Sequence, residues 1–348
     1  MKRSFSLLVI FLSLWALASC QEKAKQAAVV VPGVDSMPAN IRAITEKIKS
    51  EPENPEFFNE RAMLYLERQE GNMAFSDASK AIALRSGVAK YYITFSDACL
   101  LLNKVKECRT ALEKAIELDK QSPDAYNKMA ELSLYFKDYT KVFMYTAQAL
   151  EVDPLNAKAN FIRGFAQKEK GDTVAAIKSF KQTVDADQKN YDAYIQLGLL
   201  YAAKKNKLAA DYYNTALKLR TNSIEALYNL GVFYQETGAY NEAMDAYRKI
   251  IAINPRYKFA HFNLGYIHLF YLKVFNQGVR HFTDAITADP AYAEAYYNRG
   301  YCYELMGDEI NARQDYKKSL ELRPAYTLPQ SGLQRLDQRN ADFGNPKK

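Results

Sequence analysis

From residue 55 onward, apolar residues recur at helical spacing in short blocks separated by polar breaks. Leu227, Leu230, Gly231 and Tyr234 fall on one face of a helix at about 100° per residue. A break follows near Gly238, and Ala243 and Tyr247 then mark the apolar stripe of a second helix. The same double block returns along the chain. Gly164, Gly198, Gly231, Gly265 and Gly300 are spaced by 34, 33, 34 and 35 residues. Each opens an apolar-periodic helix, and a second glycine (Gly171, Gly238, Gly307) marks the break in three of the units. A period of this length predicts helix–turn–helix units whose open apolar flank is covered by the next unit, so that stability comes from stacking.

Counted from Ile224, the residues Leu227, Leu230, Gly231, Tyr234, Ala243, Tyr247 and Pro255 stand at positions 4, 7, 8, 11, 20, 24 and 32. Counted from Ala293, Tyr296, Gly300, Tyr303, Ala312, Tyr316 and Pro324 follow the same scheme. These residues resemble the tetratricopeptide repeat. The resemblance implies an all-α superhelical solenoid of about eight helix–turn–helix repeats, at 55–88, 89–122, 123–156, 157–190, 191–223, 224–257, 258–292 and 293–326. Residues 37–54 read as an N-terminal cap helix, and 327–348 as a C-terminal cap with a frayed tail from residue 340. Unit 258–292 has one extra residue, expected between its helices, and unit 191–223 is one short and lacks the closing proline. Position 8 is Ala62, Ser96 and Ala130 in the first three units.

On the first helix of a unit, positions 4, 7, 8 and 11 face the second helix, and position 6 lies on the opposite side. That position carries Asn229, Asn263 and Asn298, with Gln196 in the preceding unit. In the resembled family this side lines the concave groove, which commonly holds peptides. An amide has both donors and an acceptor, so it can grip the backbone of an extended peptide of any sequence. Beside the row, positions 5 and 9 carry Tyr228, Phe262, Tyr266, Tyr297 and Tyr301. These nine residues form the expected peptide-binding face. Two blander readings stand beside it: amides at ordinary solvated helix positions, and aromatics packed against an adjacent helix. A basic clamp for a terminal carboxylate is not matched, because position 2 of the last three units is Glu225, Phe259 and Glu294.

The first twenty residues carry a different pattern. Lys2 and Arg3 precede an uncharged, mostly apolar run from Phe5 to Ala18. As a helix that run reaches roughly 21 Å, short of the ~30 Å hydrocarbon core, and so reads as a signal-peptide core. Leu17-Ala18-Ser19-Cys20 resembles the bacterial lipobox. The resemblance implies removal of residues 1–19, lipidation of Cys20 and anchoring to a membrane without a spanning helix. Gln21 stands where an Asp would retain the product at the inner membrane, which implies an outer-membrane, periplasm-facing location. Residues 20–36 read as a tether. Trp15, the only tryptophan, would leave with the signal.

Composition adds exclusions. The net charge is +7, with 47 basic and 40 acidic residues interleaved along the chain. No basic block tracks a phosphate backbone, so nucleic acid is not an expected partner. No phosphate-cradling glycine loop or nucleophile elbow is present, and no enzyme activity, cofactor or small-molecule substrate is expected. The three histidines, His261, His268 and His281, show no ligand spacing for zinc, and no metal site is expected. Cys99 and Cys108 share an intra-unit interface, either as a disulfide or as two buried thiols. The sequence therefore describes a lipid-anchored scaffold of the bacterial envelope that binds other envelope proteins in its groove. A periplasmic holder of unfolded clients and an accessory factor in cell-wall or glycan handling are the alternatives.

Overall fold

Helix starts are written locally. Asn54, Ser122, Asp138, Asn156, Asp172, Asn190, Ser223 and Asp308 each precede a helix and accept a hydrogen bond from a first-turn N–H. Each cap covers a donor that has no partner inside the helix. Pro55 and Pro123 sit at the first helical position, where a missing N–H costs nothing. The computed structural model describes residues 38–344, with side chains through residue 339. The signal segment, Cys20 and the tether lie outside the described residues.

All helices and no strands make up the regular structure of the described residues. The chain divides into two units at Gln121. The first unit holds α1 (Ala39–Ser50), α2 (Pro55–Glu67), α3 (Gly71–Leu84), α4 (Ala89–Leu101) and α5 (Val105–Leu118). The second holds α6 (Pro123–Tyr135), α7 (Tyr139–Val152), α8 (Ala157–Glu169), α9 (Thr173–Ala186), α10 (Tyr191–Ala202), α11 (Leu208–Leu219), α12 (Ile224–Thr237) and α13 (Tyr240–Ile253). It continues through α14 (Lys258–Tyr266), a π-helical turn (Ile267–Leu272), α15 (Phe275–Ala288), α16 (Ala293–Leu305), α17 (Glu309–Leu322) and α18 (Thr327–Gly344). From α2 to α17 the helices pack as eight successive antiparallel-type pairs, with α1 and α18 as single flanking helices. No described helix is long and apolar enough to cross a membrane.

The small residue at position 8 makes each later pair close. A Cβ added at Gly164, Gly198, Gly231, Gly265 or Gly300 would lie between 2.4 and 3.1 Å from the ring of Phe180, Tyr213, Tyr247, Phe282 or Tyr316. The glycine thus makes room for an aromatic ring from the second helix, and all five rings are buried. In the first three pairs Ala62, Ser96 and Ala130 take the glycine's place, and the ring is replaced by Ala78, Leu112 and Thr146. The two positions trade volume so that the pair stays filled.

Each pair also turns on one left-handed residue: Gln69, Asn103, Lys137, Gly171, Lys205, Gly238, Lys273 or Gly307. Only three of the eight are glycine, so the turn geometry is imposed by packing more than by local preference.

Both irregular units absorb their length change near the turn. The extra residue of 258–292 is taken up inside the first helix, as the π-helical turn, and not in the connection after it. An i→i+5 turn accommodates one more residue than an α turn. In 191–223 both helices shorten to 12 residues. At the C-terminus α18 runs to Gly344, taking in the first residues of the stretch expected to fray. Cys99 and Cys108 are both buried and are not joined in a disulfide, and burial pushes the Cys99 thiol up to about 12.

Candidate partner-binding face

The first helices of successive pairs in the second unit meet along a seam, as in α10 against α12 and α16 against α18. Position 6 lies on that seam. Gln196 on α10 is only 4% exposed, and its Oε1 accepts a hydrogen bond of 2.6 Å from Lys168 Nζ on α8. Asn298 is 5% exposed and donates from Nδ2 to the Glu294 carbonyl one turn back, at 2.8 Å. Asn263 places its amide at the hydroxyls of Tyr228 and Tyr247. Only Asn229 is half-buried and makes no side-chain hydrogen bond among the described residues. Of the row expected to face an open groove, Gln196 and Asn263 instead fasten helices together, and Asn298 bonds back onto its own helix. A helical wheel drawn for one pair omits the neighbouring first helix, which for Gln196 is α8 with its Lys168.

The aromatics are brought together more completely than the amides. A continuous run of ring contacts passes from Tyr247 to Tyr228, Phe259, Tyr292, Phe262, Tyr266, Phe270, Tyr301, Tyr297 and Tyr326. Successive centroids lie between 4.4 and 6.4 Å apart. That belt links α12, α14, the π-helical turn and α16. Tyr297 is buried within it, whereas Tyr228, Phe262, Tyr266 and Tyr301 remain half-buried. Phe259, at position 2 where a basic clamp would stand, is 40% exposed and joins the belt although the amide row and its flanking positions 5 and 9 do not include it. Burial raises the phenol pKa of Tyr228, Tyr257, Tyr292 and Tyr326, so all stay neutral hydrogen-bonding groups around neutral pH. Lys258 lies over the rings of Phe259 and Tyr292, 5.0 and 4.9 Å from their centroids, and pairs with Asp289. The belt is thus apolar at its centre with polar groups at its margin, as protein-contact surfaces are.

The histidines do not stand apart, contrary to what their spacing suggested. His261 on α14 and His281 and Asp284 on α15 bring ligand-capable atoms within 4.8 Å of one another. The rings of His268 and His281 are 5.1 Å apart. The helix-pair packing supplies the proximity, and the only sequence trace of it is the i, i+3 pair His281 and Asp284.

A family model described as tetratricopeptide repeat matches residues 224–257 and 293–326, and two further models of the same description match 166–224 and 89–122. Tetratricopeptide repeat protein 6 of Homo sapiens is 33% identical over 140 residues, 40% of this chain and 26% of that protein. BBSome complex member BBS4 of Bos taurus is 25% identical over 245 residues, 68% of this chain and 46% of that protein. Protein O-mannosyl-transferase TMTC3 of Homo sapiens is 25% identical over 181 residues, which are 20% of its length. The chain spans from a fifth to about a quarter of the first curated relatives it matches. Among solved structures, the C-terminal part of a TPR repeat-containing protein from Cytophaga hutchinsonii shares the fold, with a TM-score of 0.61 and 20% identity over 69% of this chain and 99% of that one. The paired helices, the small residue under each later ring and the matching repeat models lead to one conclusion: this chain carries tetratricopeptide repeats, at 89–122, 166–257 and 293–326.

Proposed function

We propose that residues 224–326 capture an extended segment of a partner protein on the aromatic belt, without catalysis. Tetratricopeptide repeats mediate protein–protein interaction, and the observation that carries the finer reading is the belt itself. Its half-buried rings run across three successive pairs, and Phe259 and the unpartnered amide of Asn229 stand at its margin. Rings supply contact area at low entropic cost, and the amide grips backbone of any sequence. The repeat fold and the repeat-named relatives favour a non-enzymatic scaffold; the similarity to a named transferase covers only 20% of that protein. The lipobox-like ending at Cys20 supports a place for this scaffold at the bacterial outer membrane, lipid-anchored and facing the periplasm, with other envelope proteins as partners.

A photo-crosslinking residue at Phe259, in the full chain expressed in its own envelope, is expected to trap one or two defined proteins. The same probe at Ile310, 74% exposed on α17, is the control and is expected to trap none of them. Equal products at both positions would overturn the belt as the site. Many unrelated products at Phe259 alone would favour the holder of unfolded clients. Cys20→Ala is expected to release the protein from the membrane fraction, and an unchanged distribution would overturn the anchor.

A further inference from the structure

His261 has one committed nitrogen and one idle one. Its Nε2 lies 2.9 Å from the Pro255 carbonyl oxygen, so the proton sits there and Nε2–H donates. The neutral ring then presents a lone pair at Nδ1, which is buried with no hydrogen-bond partner. Facing that lone pair at 3.7 Å is a carboxylate oxygen, Asp284 Oδ2. Two electron-rich atoms aimed at each other across 3.7 Å are held best by a positive centre between them. Either a second proton makes His261 a cation, or a metal ion fills the gap.

His281 decides between the two. One turn before Asp284 on α15, it brings a third ligand atom into the same cluster, and its own Nδ1 is buried and unpartnered. A proton on His261 would leave the His281 nitrogen idle, whereas a metal ion uses both. The backbone carbonyl on His261 Nε2 is also the outer support that metal-bound imidazoles characteristically have, since it fixes the tautomer and the ring orientation.

We infer that His261, His281 and Asp284 form a binding site for a divalent transition metal of the zinc type, clamping α14 to α15 beside the π-helical turn. Two imidazoles and a carboxylate suit zinc and leave the fourth tetrahedral position open to water or to a ligand from a partner. Tetrahedral zinc with bonds of ~2.1 Å spaces its ligand atoms about 3.4 Å apart, so the cluster must contract from 4.8 Å. Asp284, whose side chain is half exposed, has the freedom to make that movement. The Arg280 and Arg248 charges near His281 weaken the site relative to one with four protein ligands. No residue of the triad belongs to the aromatic belt, so metal binding and partner capture stand or fall separately.

Cobalt titration into the chelator-treated full chain tests the site, because tetrahedral cobalt with imidazole ligands gives an intense visible band. One equivalent is expected to produce that band, and zinc to displace it and raise the melting temperature. Asp284→Asn is expected to weaken binding more than about tenfold. His281→Ala is expected to abolish the band; if it unfolds the helix pair, seen by circular dichroism, His281→Gln serves in its place. An octahedral spectrum, no zinc-dependent shift in melting, or unchanged affinity in Asp284→Asn and the folded His281 variant would overturn the assignment.

Discussion

Arg299 holds Asp315 with two hydrogen bonds of 2.8 Å, from Nε and Nη2, and turns Nη1 to Thr283 at 3.1 Å. Three helices, α15, α16 and α17, meet at this one guanidinium. Arg61 makes the same fork in the first unit, to Asp77 from Nε and Nη2 and to Thr45 from Nη1. In both, the acid lies 16 residues after the arginine and the threonine 16 before. The hydrogen bonds to Asp315 raise the Arg299 pKa against the effect of burial. A buried charge held by this many bonds is satisfied in its place.

Arg163 occupies the same position of its unit without these partners. Sixteen residues on stands Ser179, whose hydroxyl donates to Gln167 Oε1, and sixteen back stands Ala147. Burial lowers the Arg163 pKa, with no acid to offset it. Ser179→Asp is therefore expected to complete the fork and stabilise the second unit by about 1 kcal/mol, read from the urea midpoint. Ser179→Asn, similar in shape but uncharged, should bring no such gain. Equal losses in the two variants would show that Arg163 gains nothing from a counter-ion.

The exchange of volume between positions 8 and 24 leads to a paired prediction. In Gly231→Ala the new Cβ lies 2.7 Å from Tyr247 Cε1. Tyr247 is fully buried and its hydroxyl donates to Gln235 Oε1, so the ring has little room to retreat. Overpacking of this kind costs about 1–3 kcal/mol. Adding Tyr247→Leu, in imitation of the Ser96 and Leu112 pairing, should recover most of the loss despite shrinking the core. A double mutant that merely sums the single effects would contradict the coupling.

How far the sequence disclosed these features depended on whether one helix pair was enough to define them. The fold was legible because its signals lie inside a pair: Gly231 under Tyr247, Gly300 under Tyr316, and polar caps before the helices. Features made between pairs were not. Gln196 was assigned to an open face because α8, whose Lys168 bonds it, has no trace in a single-helix wheel. The histidine cluster was missed for a related reason. His261 and His281 are 20 residues apart, and only the packing of α14 on α15 makes them neighbours. The extra residue of 258–292 was expected between the helices and lies in the π-helical turn, because an inserted residue looks the same in sequence whether it lengthens a loop or widens a helix.

Turn residues offer a third test. Lys137 carries φ of 57°, a left-handed conformation that costs an L-residue about 1 kcal/mol or more. Gly171, Gly238 and Gly307 adopt the same conformation at the equivalent place, each without a neighbour against its Cβ position. Lys137→Gly should relieve that strain while adding freedom to the unfolded chain. The net expectation is a stabilisation of roughly 0.5 kcal/mol, seen as slower hydrogen exchange at the start of α7. Faster exchange there would mean that the Lys137 side chain contributes more than its backbone costs.

Glu304 ties the last helix to the array and should make its docking sensitive to acid. Only 2% exposed, it accepts hydrogen bonds from Tyr316 and from Arg335 Nε and Nη2 on α18. Burial pushes its carboxyl up, but Arg335, Tyr316 and the more distant Arg339 outweigh burial and hold it below its ordinary 4.5. Because the folded value is depressed, the unfolded state binds more protons in the window just below 4.5. The stabilisation is therefore complete above that pH and is lost as pH falls through the folded value. Hydrogen exchange in α18 should accelerate across this window before α16 and α17 respond. Glu304→Gln should loosen α18 already at neutral pH and remove this acid sensitivity, leaving the exchange of α12 and α13 unchanged. If α18 keeps its protection in Glu304→Gln, apolar contact through Leu336 holds the helix and the ion pair is secondary.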